Sequence, residues 1–143
     1  MSTTTRITLR AGERIFINGA VIKADGRTSF ELLNDVPYLI EHEIMYPEQT
    51  VTPLRQLYYV LQSMILEPGS MKTAMSVYEV SLEGLRLAFV NATVLTGLDE
   101  VRRHVDAGSP FLALKALRPL IPVEDSILGV GSDTGLRVVG AGA

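Results

Sequence analysis

The sequence predicts an α+β protein: an N-terminal antiparallel β-meander followed by a helical C-terminal half of about four helices. Three observations predict it. Apolar and polar residues alternate through the first forty positions, the signature of strands with one buried face. Turn dipeptides punctuate that alternation at Asn18-Gly19 and Asp25-Gly26. Near residue 50 the apolar spacing changes from two to three and four, the period of amphipathic helices.

The first strand is Arg6-Ile7-Thr8-Leu9-Arg10, with Ile7 and Leu9 on one side and Arg6, Thr8 and Arg10 on the other. After the Ala11-Gly12 break come Arg14-Ile15-Phe16-Ile17, Asn18-Gly19, Ala20-Val21-Ile22-Lys23-Ala24 and Asp25-Gly26. Both dipeptides suit type I′ turns, whose two central residues need φ > 0, and together they would set the register of three short strands. Arg27 to Leu33 follows, then an Asn34-Asp35-Val36-Pro37 break and a fourth run, Tyr38-Leu39-Ile40-Glu41.

Thr52-Pro53 opens the first helix, Thr as N-cap and Pro where its missing N–H removes no bond. Leu54, Leu57, Tyr58, Leu61 and Ile65 fall on one side of it, and Glu67-Pro68-Gly69 stops it. Met71, Met75, Tyr78, Leu82, Leu85, Phe89 and Ala92 then alternate spacings of four and three, a heptad seam suited to a partner helix. Helical to Thr96, this second element would run about 26 residues, or roughly 39 Å. Gly97 is its expected stop. A short helix over Leu98–Ala107 is capped by Gly108, and Ser109-Pro110 starts a last helix through Leu117 that ends before Pro119. The domain reading is a β-rich subdomain over 1–50, a helical subdomain over 51–128 and a Gly-rich flexible tail over 129–143.

Composition narrows function. The 143 residues include no cysteine, which excludes disulfides and thiolate metal sites. No signal-peptide core opens the chain and no apolar run reaches the roughly 18 residues of a membrane span, so a cytoplasmic protein that does not enter membranes is expected. His42 lies between Glu41 and Glu43, but on an alternating strand those carboxylates would point away from its face. His104 falls on the polar side of a short helix. Gly129 to Gly135 superficially resembles a phosphate loop, yet no strand precedes it and no Lys-Ser/Thr or helix follows. Ser132 has no nucleophile-elbow context. No catalytic residue, metal site or cofactor is predicted, and the chain is read as non-enzymatic.

The net charge is −3, but the first 27 residues carry five basic side chains against two acidic ones. Arg6, Arg10, Arg14, Lys23 and Arg27, with Phe16 as a stacking platform, form the candidate RNA-binding surface: cations for phosphates, an aromatic face for an unstacked base. The same cations also suit the plainer role of keeping sheet edges from aggregating. Met71, Met75, Tyr78, Leu82, Leu85 and Phe89 form a candidate partner or oligomer interface, with a homodimer as one occupant. They suit an ordinary core equally well.

Three segments carry a resemblance. Leu9 to Ile22 (LRAGERIFINGAVI) is similar to the opening of the FlbT family of α-proteobacterial flagellum-biosynthesis regulators, as is Glu43 to Tyr59 (EIMYPEQTVTPLRQLYY). Ala107-Gly108-Ser109-Pro110-Phe111, with Ala113-Leu114-Lys115-Ala116-Leu117, resembles the family's C-terminal part. The resemblance implies a post-transcriptional regulator, a repressor, that associates with the 5′ untranslated region of flagellin mRNA and promotes its decay. The chain departs from the pattern at Arg27-Thr28, where a doubled Arg is common, and in its acidic helical half. The alternative that follows is an adaptor binding flagellin or another flagellar protein, with indirect effects on RNA.

Overall fold

The structure, a computed structural model, describes residues 4–129. Except for Gly129, the predicted tail lies outside the described residues. Those residues fall into two compact units that divide between Ile44 and Met45.

The N-terminal unit contains β1 (Thr5–Leu9), β2 (Arg14–Ile17), β3 (Ala20–Lys23), β4 (Thr28–Leu32) and β5 (Tyr38–Ile40). All pairings are antiparallel, as expected, but their order is not that of a meander. Among the described residues β1 pairs with β4 in one sheet, and β3-β2-β5 form another. The Ala11-Gly12 turn explains the departure. Glu13 N–H donates to the Arg10 carbonyl at 3.0 Å and Gly12 has φ 80°, as a type II turn requires. Gly12 N–H then reaches the Ala24 carbonyl while Ala24 N–H reaches that of Glu13, so two residues oppose one in a G1 bulge. The bend sends β2 into a second sheet and leaves the place beside β1 to β4.

The two turn dipeptides consequently differ. Asn18 (φ 46°) and Gly19 (φ 87°) close the β2–β3 hairpin as a type I′ turn. Asp25-Gly26 has neither residue at positive φ and joins strands of different sheets, so it sets no hairpin register. Ile7, Leu9, Ile15 and Ala24 form the unit's buried core, with Ile17, Phe30, Leu32, Tyr38 and Ile40 packed around them. Burial alternates along β1, whereas β3 is exposed throughout and Leu39 of β5 is buried on the face opposite Ile15.

The C-terminal unit contains α1 (Pro53–Leu66), α2 (Met71–Ala88), α3 (Ala92–Asp106), α4 (Pro110–Leu117) and α5 (Leu120–Leu128), five helices among the described residues where about four were expected. Thr52 caps α1 through a hydrogen bond from Arg55 N–H, and Ser109 caps α4 through one from Leu112 N–H. Gly108, at φ 84°, ends α3 in a Schellman motif: its own N–H meets the Val105 carbonyl and Ser109 N–H meets that of His104.

Two expectations are corrected. The helix predicted from Met71 to Thr96 breaks after Ala88, where Phe89 turns extended and Asn91 becomes an N-cap accepting from Val94 N–H at 3.0 Å. Asn favours this local bond over a helix interior. Gly97, expected as a stop, lies inside α3, where any Cβ would overlap the Leu120 side chain. It is a packing glycine. The second correction is α5, hidden by Pro119 and Pro122. Pro119 is its N-cap residue and Pro122 its third, both positions whose N–H would have no intrahelical partner.

Candidate nucleic-acid interface

Strand alternation and hairpin register decide which candidate cations share a surface. Across the type I′ hairpin Arg14 stands opposite Lys23 and Phe16 opposite Val21, so all four lie on one face. Ile15 and Ile22 lie on the other, where Ile15 is fully buried. Arg14, Lys23 and Val21 are exposed and Phe16 is half-buried. On its other side Phe16 opposes Leu39 of β5, which is buried. Phe16 thus stands half-buried between an exposed and a buried neighbour.

The remaining cations are distributed differently. Arg6 belongs to the β1–β4 sheet, donates to Ser29 Oγ at 3.2 Å and pairs with Glu31 at 3.4 Å. Arg10 follows β1 and Arg27 precedes β4; both side chains are exposed. Among the described residues Arg10, Lys23 and Arg27 have no ion pair, whereas Arg14 Nε lies 3.9 Å from Glu41. That carboxylate also accepts the Arg14 backbone N–H at 2.9 Å.

Residues Glu41–Glu43 form a 3-10 turn rather than a strand end, which corrects the expected surroundings of His42. Its Nδ1 lies 2.9 Å from Glu13 Oε2, a partner 29 positions away that no local spacing announces. The other Glu13 oxygen accepts Arg10 N–H at 3.0 Å. Arg10's backbone donor and then His42 hold the Glu13 carboxyl below its usual 4.5. Glu43 accepts the Ile40 N–H at 3.0 Å. These carboxylates border the bulge and hairpin, and Glu13 also lies close enough to Arg10 for their charges to interact.

The six residues of the candidate partner stripe lie elsewhere. Tyr78, Leu82, Leu85 and Phe89 are buried, and Met71 and Met75 half-buried, on the α2 face that packs within the helical unit. Among the described residues the Tyr78 hydroxyl has no hydrogen-bond partner, and burial pushes its pKa up to about 12. The helical unit also holds a polar clasp that spacing alone did not reveal. Glu124, fully buried on α5, accepts the Leu54 N–H at 2.9 Å. Beside it Asp125 accepts from the two terminal guanidinium nitrogens of Arg55, at 2.6 and 2.9 Å. Gln62, also buried, bonds both the N–H and the carbonyl of Met45, at 2.7 and 2.8 Å. Desolvation raises the Glu124 pKa against the opposing bonds from Thr52 and Leu54, and the Asp125 bond raises that of Arg55.

Among the described residues no cluster of three metal-ligating side chains occurs, and no helix is long and apolar enough to cross a membrane.

A family model described as "Flagellar protein FlbT" matches residues 5–128. The chain is 46% identical over 127 residues, 89% of its length and 84% of the relative's, to a protein of Brucella anthropi named "Probable flagellum biosynthesis repressor protein FlbT". Proteins of the same name from Brucella ovis and Brucella canis are 45% identical over the same shares. No solved structure matches the chain.

Proposed function

The chain belongs to the FlbT family, and from that premise we propose that it represses flagellum biogenesis after transcription. In this reading it acts in the cytoplasm as a non-enzymatic regulator, associates with the 5′ untranslated region of flagellin mRNA and promotes decay of that transcript. The relatives' name supports the regulatory part, since it describes flagellum biosynthesis repressors.

One observation carries the RNA part: the β2–β3 register that sets Arg14 and Lys23 side by side with Phe16 one step along the same face. Two cations about 5 Å apart at their Cα atoms can meet successive phosphates, while the partly open ring takes a base. Arg10 and Arg27 supply further positive charge in the same unit. Because carboxylates answer Arg6 and Arg14, the surface is moderately rather than strongly basic, which suits a single-stranded leader better than indiscriminate duplex binding.

The test is a binding titration of the purified chain against a flagellin leader and a scrambled RNA of equal length, repeated at several salt concentrations. With about three to five phosphates neutralised, the log–log salt slope should lie near −2 to −3.5 for single-stranded RNA. An absence of binding, or binding indifferent to salt, overturns direct contact.

A further inference from the structure

Helix α2 has a second apolar stripe that the core does not use. Val77, Val80, Gly84 and Leu87 are spaced three, four and three, on the side away from buried Tyr78, Leu82 and Leu85. Val77 is 47% exposed, Val80 76% and Leu87 78%; Val90, just past the helix, is 71% exposed. Scattered exposed apolar residues are ordinary, but three at helical spacing along one face, continued by Val90 just past the helix, are not. Gly84 adds an independent observation. It occupies the middle of an 18-residue helix, where glycine lowers stability, and a Cβ there would meet nothing within 4 Å. No packing among the described residues accounts for it, whereas an incoming side chain could seat over it.

Charge selects the occupant. Of the four charged residues on α2, Arg86 is paired with Asp99 of α3. Glu79 and Glu83, on one border of the stripe, have no ion pair among the described residues; Lys72 stands apart at the helix start. The other border, Ser81 and Ala88, is uncharged. A second copy laid antiparallel along the stripe would bring Glu83 against Glu83, a repulsive contact. Laid parallel, it would place the carboxylates against Ser81 and Ala88 and leave them unanswered.

We propose that the outer face of α2 docks an amphipathic helix of another protein, one with an apolar stripe bordered by Lys or Arg that meet Glu79 and Glu83. The docking surface is separate from the RNA-binding reading and does not depend on it. Apolar anchors at helical spacing supply affinity, and the acidic border sets orientation and excludes self-pairing.

The probes are two fluorescein-labelled 21-residue helical peptides with a Leu stripe, one bordered by Lys and one by Glu, titrated with the full chain by anisotropy. The Lys-bordered peptide should bind saturably and at least ten-fold more tightly. The double variant Val80→Asp/Leu87→Asp should lose at least ten-fold, although it adds negative charge and so would strengthen a merely electrostatic attraction. Glu79→Lys/Glu83→Lys should reverse the preference between peptides. Should the double Asp variant fail to fold by circular dichroism, Gly84→Gln, a better helix former that covers the open position, should show the same loss. Leader RNA binding should be unchanged by Gly84→Gln, which leaves the charge of the protein as it is. No saturable binding, equal binding of the two peptides, or indifference to the stripe variants overturns the proposal. So does a dimer in sedimentation that Val80→Asp dissociates, which would assign the stripe to a second copy.

Discussion

Arg14 and Lys23 face each other across the β2–β3 hairpin, one step from Phe16 on the same face. Like charges in direct cross-strand register repel, so the pair lowers hairpin stability by a few tenths of a kcal/mol in the free protein. An anion between them relieves that repulsion. Arg14→Ala with Lys23→Ala should therefore weaken leader binding about ten-fold and make the salt slope shallower by about 1.4, the share of two phosphates. The thermal midpoint should stay level or rise. Unchanged binding in this variant would remove the hairpin face from the interface.

Glu13 links the bulge to the 3-10 turn through Arg10 N–H and His42. Carboxyl NMR should find Glu13 titrating below 4.5. His42→Ala should move it only part of the way back, because the backbone donor is the larger cause. Full return to 4.5 would mean that His42 dominates.

Glu124 carries the opposite shift. Its folded pKa lies above the unfolded value of 4.5, so the native state binds its proton more tightly than the unfolded chain does. The resulting stability is complete below pH 4.5 and is lost as pH rises through the folded pKa. Urea midpoints of the wild type and Glu124→Gln, followed from pH 4 to 8, should show the variant gaining on the wild type as pH rises. A constant difference would count against a buried carboxyl that ionises in this range. Glu124→Ala should destabilise at every pH, because it leaves the Leu54 N–H buried without an acceptor, at about 1–3 kcal/mol.

Two substitutions in the helical core should have opposite signs. Gly97→Ala forces a methyl into the space of Leu120 and should destabilise by about 1–3 kcal/mol despite alanine's better helix propensity. Tyr78→Phe removes a buried hydroxyl that lacks a partner and should be neutral or slightly stabilising. Denaturant midpoints check both, and a large loss for Tyr78→Phe would point to a hydrogen-bonded water at the hydroxyl.

The strands, the period change near residue 50 and three of the helix starts were legible because each is encoded locally. Thr52-Pro53 and Ser109-Pro110 announce α1 and α4, and Asn18-Gly19 announces its hairpin. What was not legible depends on contacts distant in sequence. Asp25-Gly26 looks like Asn18-Gly19, but the bulge at Gly12 had already sent the chain into another sheet. Gly97 reads as a stop until Leu120 is seen against it. Phe89 fits the heptad, and the apolar period continues to Ala92, which hides the boundary that Asn91 caps. At the candidate site, alternation already put Arg14 and Phe16 on one face of β2. Lys23 joined them through the turn type, whereas Glu13–His42 required the fold.

The clasp between α5 and α1 also has a consequence in time. Leu54 and Arg55 bond to Glu124 and Asp125, each 70 positions later. At about 5–20 residues per second of synthesis, the start of α1 waits roughly 4–14 s for its partners to be made. Until then the Leu54 N–H and the Arg55 guanidinium are left to water. A chain that ends before residue 124 lacks both acceptors, so the start of α1 reaches its final hydrogen bonding only after the last described helix has been made.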